Sequence, residues 1–109
     1  MIVRPKNLEL VECYLIFNEK EFNRIEIDIS HINRQQRSSL LAHEAYVILE
    51  KLIYGLIIDP SDERFFGDDI CRYYLKTGNA YEKYYRAVFC VCSDRPNAIG
   101  FITLFRVKV

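Results

Sequence analysis

A histidine and two arginines lie close together in the segment 30–37, which reads SHINRQQR. Histidine is the usual general acid or base near neutral pH, and the planar guanidinium of arginine offers two hydrogen bonds to a phosphate. Cleavage of RNA by its own 2′-hydroxyl needs proton transfer and a cation that stabilises the charged intermediate. His31 is therefore a candidate general acid or base, and Arg34 and Arg37 are candidate phosphate ligands. The alternative is that these side chains only cap and solvate the start of a helix.

Two more polar residues, Thr103 and Arg106, lie in the apolar C-terminal run GFITLFR at positions 100–106. A buried threonine hydroxyl needs a hydrogen-bond partner, and Thr103 is a candidate to position the scissile group. The alternative is a β-branched residue that only fits the sheet. On a regular strand Thr103 and Arg106 point to opposite faces. They serve one cleft only if a bulge intervenes or Arg106 reaches round an edge.

Tyrosines flank a turn predicted at 77–80, as pairs at 73–74 and 84–85 and at Tyr81. Aromatic side chains on a sheet can stack on unpaired bases, and Tyr85 with the neighbouring Arg86 is therefore a candidate RNA contact. Cross-strand aromatic pairs that only stabilise the hairpin are the alternative.

The four cysteines are Cys13, Cys71, Cys90 and Cys92. In a reducing compartment we expect them to be free thiols that pack as small apolar side chains. We also expect Cys90 and Cys92 to point to opposite faces of a strand and not to share an ion. The chain has no Cys-x-x-Cys and no paired histidine spacing, and we therefore predict neither a metal nor another cofactor.

Composition and charge set the broad class of the protein. The chain has 109 residues, half of them hydrophobic, which predicts a single domain over 1–109. The formal net charge is zero, which argues against strong non-specific phosphate binding. The N-terminus does not resemble a signal peptide, and no apolar run approaches the roughly 20 residues of a spanning helix. We expect a cytoplasmic protein that does not bind membranes.

The hydrophobic pattern predicts an α+β fold, with an antiparallel sheet of about five strands and one main helix packed on it. The helix spans 37–54, with Ser30 or Asn33 as its cap and Gly55 at its C-terminus. The strands form an N-terminal hairpin (8–17 and 22–29), a short segment at 56–58, and a C-terminal three-strand meander (71–76, 81–92 and 98–109), with a charged loop at 61–69.

The last two strands are apolar on both faces, with Phe89 on one face and Val88 and Cys90 on the other. One helix covers one face of a sheet, and the second face needs another cover. The sequence predicts that this cover is the N-terminal segment or another protein chain, and it favours a homodimer through the apolar face or a tight complex.

The chain combines an N-terminal hairpin, His-x-x-Arg before a helix, Asp-Pro after it, and a meander that ends in Ile-Thr-Leu-Phe-Arg. This order, over 25–109, resembles the superfamily of barnase, EndoU, colicin D and RelE-type nucleases, which includes many toxin–antitoxin toxins. The resemblance implies that His31, Arg34 and Thr103 take the places of an early His and Arg and a late Ser or Thr. Phe105 stands where a Tyr is common in that group, and the chain is neutral whereas RelE-type toxins are basic.

Two functions from different classes follow. The first is a metal-independent endoribonuclease toxin, with RNA as substrate and a cognate antitoxin or immunity protein as partner. In it His31, Arg34 and Thr103 are catalytic, and Arg37, Arg106, Tyr85 and Arg86 bind substrate. The alternative is a non-enzymatic interaction module, such as an immunity protein, a phage-encoded inhibitor or a complex subunit. The nuclease requires His31, an arginine and Thr103 within reach of one phosphate, whereas the module requires an exposed apolar surface.

Overall fold

A computed structural model describes residues 8–60 and 70–108 of the chain. The fold of this described part is α+β, as the hydrophobic pattern predicted. The loop predicted at 61–69 and the residues before Leu8 lie outside it. The described elements are β1 (Glu9–Phe17), β2 (Lys20–Ile27), α1 (Ile29–Gln36), α2 (Ala42–Ile53), β3 (Cys71–Ala80), β4 (Lys83–Cys92) and β5 (Ala98–Arg106).

The five described strands form one sheet in the order β1-β2-β5-β4-β3. The β1–β2 hairpin and the β3–β4–β5 meander are antiparallel, as predicted. The prediction of a fully antiparallel sheet was wrong where the two units meet, because β2 and β5 run parallel. Tight turns fix the pairing within each unit. The relative direction of β2 and β5 depends instead on the long connection through the helices, which allows parallel neighbours.

The prediction of one main helix was also wrong, because the described residues contain two. The predicted helix is α2, which begins at Ala42 rather than Arg37. The polar residues that were expected to lead into this helix form a separate helix, α1. Asp28 caps α1 by accepting a hydrogen bond from the backbone N–H of His31 at 3.1 Å. Ser30 and Asn33, which were predicted to cap the main helix, lie inside α1, and the N-cap of α2 is Leu41.

The two helices separate for a local reason. Arg37 ends α1 in the left-handed region, with φ at 54°. The Asn33 side chain then holds the connection to α2. Its Nδ2 donates to the Leu40 carbonyl at 2.9 Å, and its Oδ1 accepts from the Leu40 N–H at 2.9 Å. An amide side chain that satisfies linker backbone in this way lets the chain turn without leaving polar groups unpaired.

Helix α2 packs on one face of the sheet, where it contacts β1 and β3. The Phe17 ring lies beneath it, edge-on to Tyr74 and Phe89 with centroid distances of 5.0 and 5.1 Å. Tyr74 stacks on its cross-strand partner Phe89. This pair fits the alternative that tyrosines near the meander turn stabilise the hairpin. Among the described residues, no helix is long and apolar enough to cross a membrane.

Two predictions about the strands differ from the structure. β3 continues to Ala80, and the turn falls on Tyr81 and Glu82, with φ of 52° and 66°. The predicted strand at 56–58 is not a strand. It is tied to the β1–β2 turn, where the Asn18 side chain donates to the Ile58 carbonyl at 3.0 Å and accepts from its N–H at 2.7 Å.

Candidate functional site at the contact of α1 and β5

Helix α1 packs against β5, and this contact joins the early polar segment to the C-terminal strand. β2 pairs with β5 only as far as the partners Ile27 and Phe101. The chain then forms α1 from Ile29, and this helix, rather than β2, contacts the rest of β5. We define the α1–β5 site as His31, Arg34, Gln35 and Thr103.

The Thr103 hydroxyl donates a hydrogen bond to Gln35 Oε1. Thr103 is the buried polar residue of the described part, with 8% of its surface exposed. The partner that a buried hydroxyl needs is therefore a side chain of α1, distant in sequence. Sequence reasoning missed Gln35. Its spacing of four residues from His31, which puts both on one side of a helix, was a usable signal.

His31 is half-buried, and it lies on the side of α1 that also carries Gln35. Arg34 follows three residues after His31, which makes the two side chains neighbours on the helix surface, and Arg34 is exposed. Arg37 is also exposed, at the C-terminal end of α1. Helix α1 thus carries an imidazole and an exposed guanidinium, and Gln35 of the same helix contacts Thr103.

The candidates on the sheet divide between its two faces. Gly78 lies beneath Leu52 of α2, and cross-strand pairing links Gly78 to Tyr85 and Tyr85 to Arg106. Tyr85 and Arg106 therefore belong to the face that α2 covers, because paired residues share a face. Thr103 pairs with Val88 and belongs to the opposite face. 

A bulge does interrupt β5, but it does not unite Thr103 and Arg106. The register shifts between the pairs Val88–Thr103 and Phe89–Phe101, which places the extra residue at Ile102. From Thr103 to Arg106 the register is regular. No bulge between Thr103 and Arg106 therefore turns their side chains to the same face of the sheet.

The remaining candidates are Tyr85 and Arg86. Tyr85 is buried in the core, which leaves its ring no open face for a base. Arg86 is exposed on the face of Thr103, and its Nε donates to Thr77 Oγ1 at 3.4 Å. The structure therefore packs α1, the helix that carries His31 and Arg34, against the strand of Thr103, and Gln35 is the α1 side chain that contacts Thr103. Tyr85 and Arg106 lie on the other face of the sheet.

A second polar group lies between β1 and α2. The Tyr46 hydroxyl donates to Glu50 Oε2 at 2.6 Å. Burial, and then this hydrogen bond, raises the pKa of Tyr46 far above its usual range. Burial also raises the pKa of the Cys13 thiol. Both groups keep their protons at neutral pH, and a protonated thiol is a poor nucleophile. This group therefore has a structural character rather than a catalytic one.

A third group contains three cysteines near the start of β3 and the end of β4, which lie side by side. The expectation of four free thiols was wrong, because Cys71 and Cys92 form a disulfide between β3 and β4. The expectation that Cys90 and Cys92 point to opposite faces was also wrong, because residues two apart on a strand share a face. Their sulfur atoms lie 3.9 Å apart. We call Cys71, Cys90 and Cys92 the sulfur cluster.

Within residues 8–60 and 70–108, no group of three or more His, Cys, Asp or Glu side chains is suited to hold a metal ion. The fold and these sites define an α+β protein with a five-stranded mixed sheet. No model of a known protein family matches the chain, and searches of curated proteins and of solved structures found no match.

Proposed function

We propose that this protein is a small metal-independent endoribonuclease toxin with the α1–β5 site as its reaction centre. One observation carries the proposal: the Gln35–Thr103 hydrogen bond joins the segment with His31 and Arg34 to a strand 68 positions away in sequence. Attack by the 2′-hydroxyl of RNA requires an acid or base, a cation and a polar group beside them. The α1–β5 site supplies these three kinds of group.

In this proposal His31 takes the proton of the 2′-hydroxyl or returns a proton to the leaving oxygen. Arg34 binds the phosphate and stabilises the charge that develops on it. Thr103 donates a hydrogen bond to Gln35, which leaves the lone pairs of its oxygen to accept one from the substrate through the 8% of the Thr103 surface that is exposed. Gln35 thereby acts as a positioning residue for the Thr103 hydroxyl.

The flanking residues extend the RNA-binding surface in part. Arg37 continues the exposed basic side of α1, and Arg86 lies on the Thr103 face. Tyr85 and Arg106 lie on the opposite face of the sheet from Thr103, and we therefore do not assign them to the phosphate that Thr103 contacts. We propose that Tyr85 supports β4 by packing.

Single-turnover cleavage of a labelled single-stranded RNA in the presence of EDTA tests the proposal. His31→Ala should lower the cleavage rate by about 100-fold or more, the usual loss for a general acid or base. His43→Ala is the matched control, because His43 is an exposed histidine of α2 outside the site. A 2′-deoxy nucleotide at the cleaved position should block the reaction. Intact RNA with the wild type, or equal rates in the two histidine variants, would refute the proposal.

The toxin role and its neutralisation by a cognate antitoxin or immunity protein rest on the family resemblance, and we propose the cytoplasm as the place where both occur. Induced expression of the wild type in bacteria should arrest growth, and co-expression of the neutralising partner should restore it. His31→Ala should be harmless at the same protein level, whereas His43→Ala should remain toxic. Growth arrest by His31→Ala equal to the wild type would contradict a toxin that acts through this site.

A second candidate function, the interaction module, is favoured by large exposed apolar side chains on β1 and in the segment after α2. β1 is an edge strand of that sheet, and it carries Leu10 with 61% and Tyr14 with 56% of their surface exposed. Ile57, in the segment tied to the β1–β2 turn, is 69% exposed. Exposed strand edges with apolar side chains are common protein-binding surfaces.

The module requires the exposed edge of β1 to bind a second copy of the chain or another protein. Sedimentation equilibrium should then show association that Leu10→Asp weakens, with the exposed Glu9→Asp as a control on the same strand. A wild type that stays monomeric and captures no partner would argue against the module.

A further inference from the structure

The sulfur cluster places a thiol beside a disulfide. Cys71 and Cys92 are cross-strand partners, and the next pair outward is joined by a hydrogen bond from the Ser93 N–H to the Ile70 carbonyl at 2.8 Å. Side chains approach most closely at such non-hydrogen-bonded pairs, which explains why these two cysteines are bridged. Cys90 stays outside the disulfide, and its Sγ lies 3.9 Å from Cys92 Sγ.

The neighbouring strand leaves room for the Cys90 sulfur. Gly100 on β5 is the cross-strand partner of Cys90. A Cβ atom at position 100 would lie 2.7 Å from Cys90 Sγ, closer than two such atoms can approach. The glycine therefore permits the side-chain position in which the Cys90 thiol sits against Cys92. Any larger residue there would force the Cys90 sulfur to move.

We propose that the sulfur cluster is an intramolecular thiol–disulfide exchange site, with Cys90 as its nucleophile. Cys90 loses its proton to solvent, and its thiolate attacks Cys92 Sγ. The Cys90–Cys92 bond forms as the Cys92–Cys71 bond breaks, and the electron pair leaves on Cys71 Sγ, which takes up a proton. One disulfide is lost and one is gained, so the step needs no oxidant or reductant.

The product of this step requires the end of β4 to bend. Cα atoms two residues apart on a regular strand are about 6.6 Å apart, near the upper limit for a disulfide, and their parallel Cβ atoms are about as far apart, whereas a disulfide needs about 3.5–4.5 Å between them. The attacking sulfur must approach along the extension of the Cys92–Cys71 bond, which requires side-chain rotation. Cys92 is the last residue of β4, and a turn follows it, which allows both the bend and this rotation. Both Cys90 and Cys92 are half-buried and thus reachable by solvent.

Exchange would remove the covalent link between β3 and β4 and create a thiol at Cys71. The chain would thereby interconvert two disulfide isomers with different constraints at this end of the sheet. This inference is independent of the proposed ribonuclease activity, because the cluster shares no residue with the α1–β5 site.

Peptide mapping distinguishes the isomers. The purified oxidised protein is held at about pH 6 or about pH 8, quenched with acid, blocked with N-ethylmaleimide and digested with trypsin. Cys71 falls in the peptide 65–72, and Cys90 and Cys92 share the peptide 87–106, because trypsin does not cut Arg95 before Pro96. A Cys71–Cys92 disulfide links the two peptides. A Cys90–Cys92 disulfide releases 65–72 with a maleimide on Cys71.

We expect released, labelled 65–72 from the wild type, formed faster at the higher pH because the thiolate is the nucleophile. Cys90→Ser should release none. Gly100→Ala keeps every sulfur but displaces Cys90, and should slow the release by about tenfold or more. Labelling of Cys13 reports the total blocking efficiency. Absence of released 65–72 from the wild type at either pH, or equal release from Cys90→Ser, would overturn the proposal, and so would release from Gly100→Ala at the wild-type rate.

Discussion

Reduction of the Cys71–Cys92 disulfide should lower the free energy of unfolding by about 3 kcal/mol. The two cysteines are separated by 21 positions in sequence. In the chain-entropy model, closing a loop of that size removes about 11 cal/mol/K from the unfolded state, or about 3.3 kcal/mol at 25 °C. Whole domains are stable by only about 5–15 kcal/mol, so the loss should be easy to measure. The β3–β4 hairpin inside the loop retains some local structure when unfolded, which lowers the value slightly.

Urea unfolding with and without a phosphine reductant measures this difference. Tyrosine fluorescence and circular dichroism are suitable signals, because the chain has no tryptophan. The background is Cys90→Ser, which excludes disulfide exchange. The dependence on urea should also steepen on reduction, because the unlinked unfolded chain exposes more surface. In the control Cys71→Ala/Cys92→Ala, the reductant should change nothing. A difference below about 1 kcal/mol in the test protein would refute an unfolded-state constraint of this size.

Three other predictions concern the core and one turn. Tyr46 keeps its proton in the fold but ionises near its ordinary pKa of 10 when unfolded. The free energy of unfolding should therefore fall above about pH 10, by up to about 1.4 kcal/mol per pH unit. Tyr46→Phe should remove that contribution in urea unfolding at alkaline pH, and an unchanged slope would contradict it. Phe17→Ala should cost about 3–5 kcal/mol in urea unfolding, because Phe17 is fully buried between aromatic rings. Phe105→Ala, at a half-buried position, should cost less, and equal costs would count against the aromatic core. Glu82→Gly should stabilise by about 1 kcal/mol, because φ there is 66° and glycine adopts this conformation freely. A lower melting temperature in that variant would contradict this reading of the turn.

Local patterns determined most of the secondary structure. The alternation of Ile25 and Ile27 with polar neighbours predicts a strand with one wet face, and both isoleucines are buried in β2. Leu49 and Leu52 lie on the predicted stripe of the main helix and are buried in α2. Such features follow from the sequence because they depend on residues a few positions apart.

Features that depend on distant residues were not predictable in the same way. The parallel pairing of β2 with β5 joins the N-terminal hairpin to the C-terminal meander, and local sequence specifies each of these units but not how they pair. The separate helix α1 escaped prediction for a local reason, because a left-handed residue at Arg37 and the Asn33 contacts with the linker leave no trace in the hydrophobic periodicity. The disulfide depends on a register in which Cys71 opposes Cys92, and hydrophobic pattern alone does not fix the register of strands that are apolar on both faces.

The sequence by itself determined the chemical types available to this protein: an early histidine with arginines, a late threonine and a cysteine-rich meander end. Only the tertiary structure decided which of these groups meet. It joined Thr103 to Gln35 across 68 positions, kept the register regular between Thr103 and Arg106, and brought the Cys71 sulfur to those of Cys90 and Cys92. The physical reason is that side-chain chemistry is a property of each residue, whereas proximity depends on strand order, register and helix packing, which involve the whole chain.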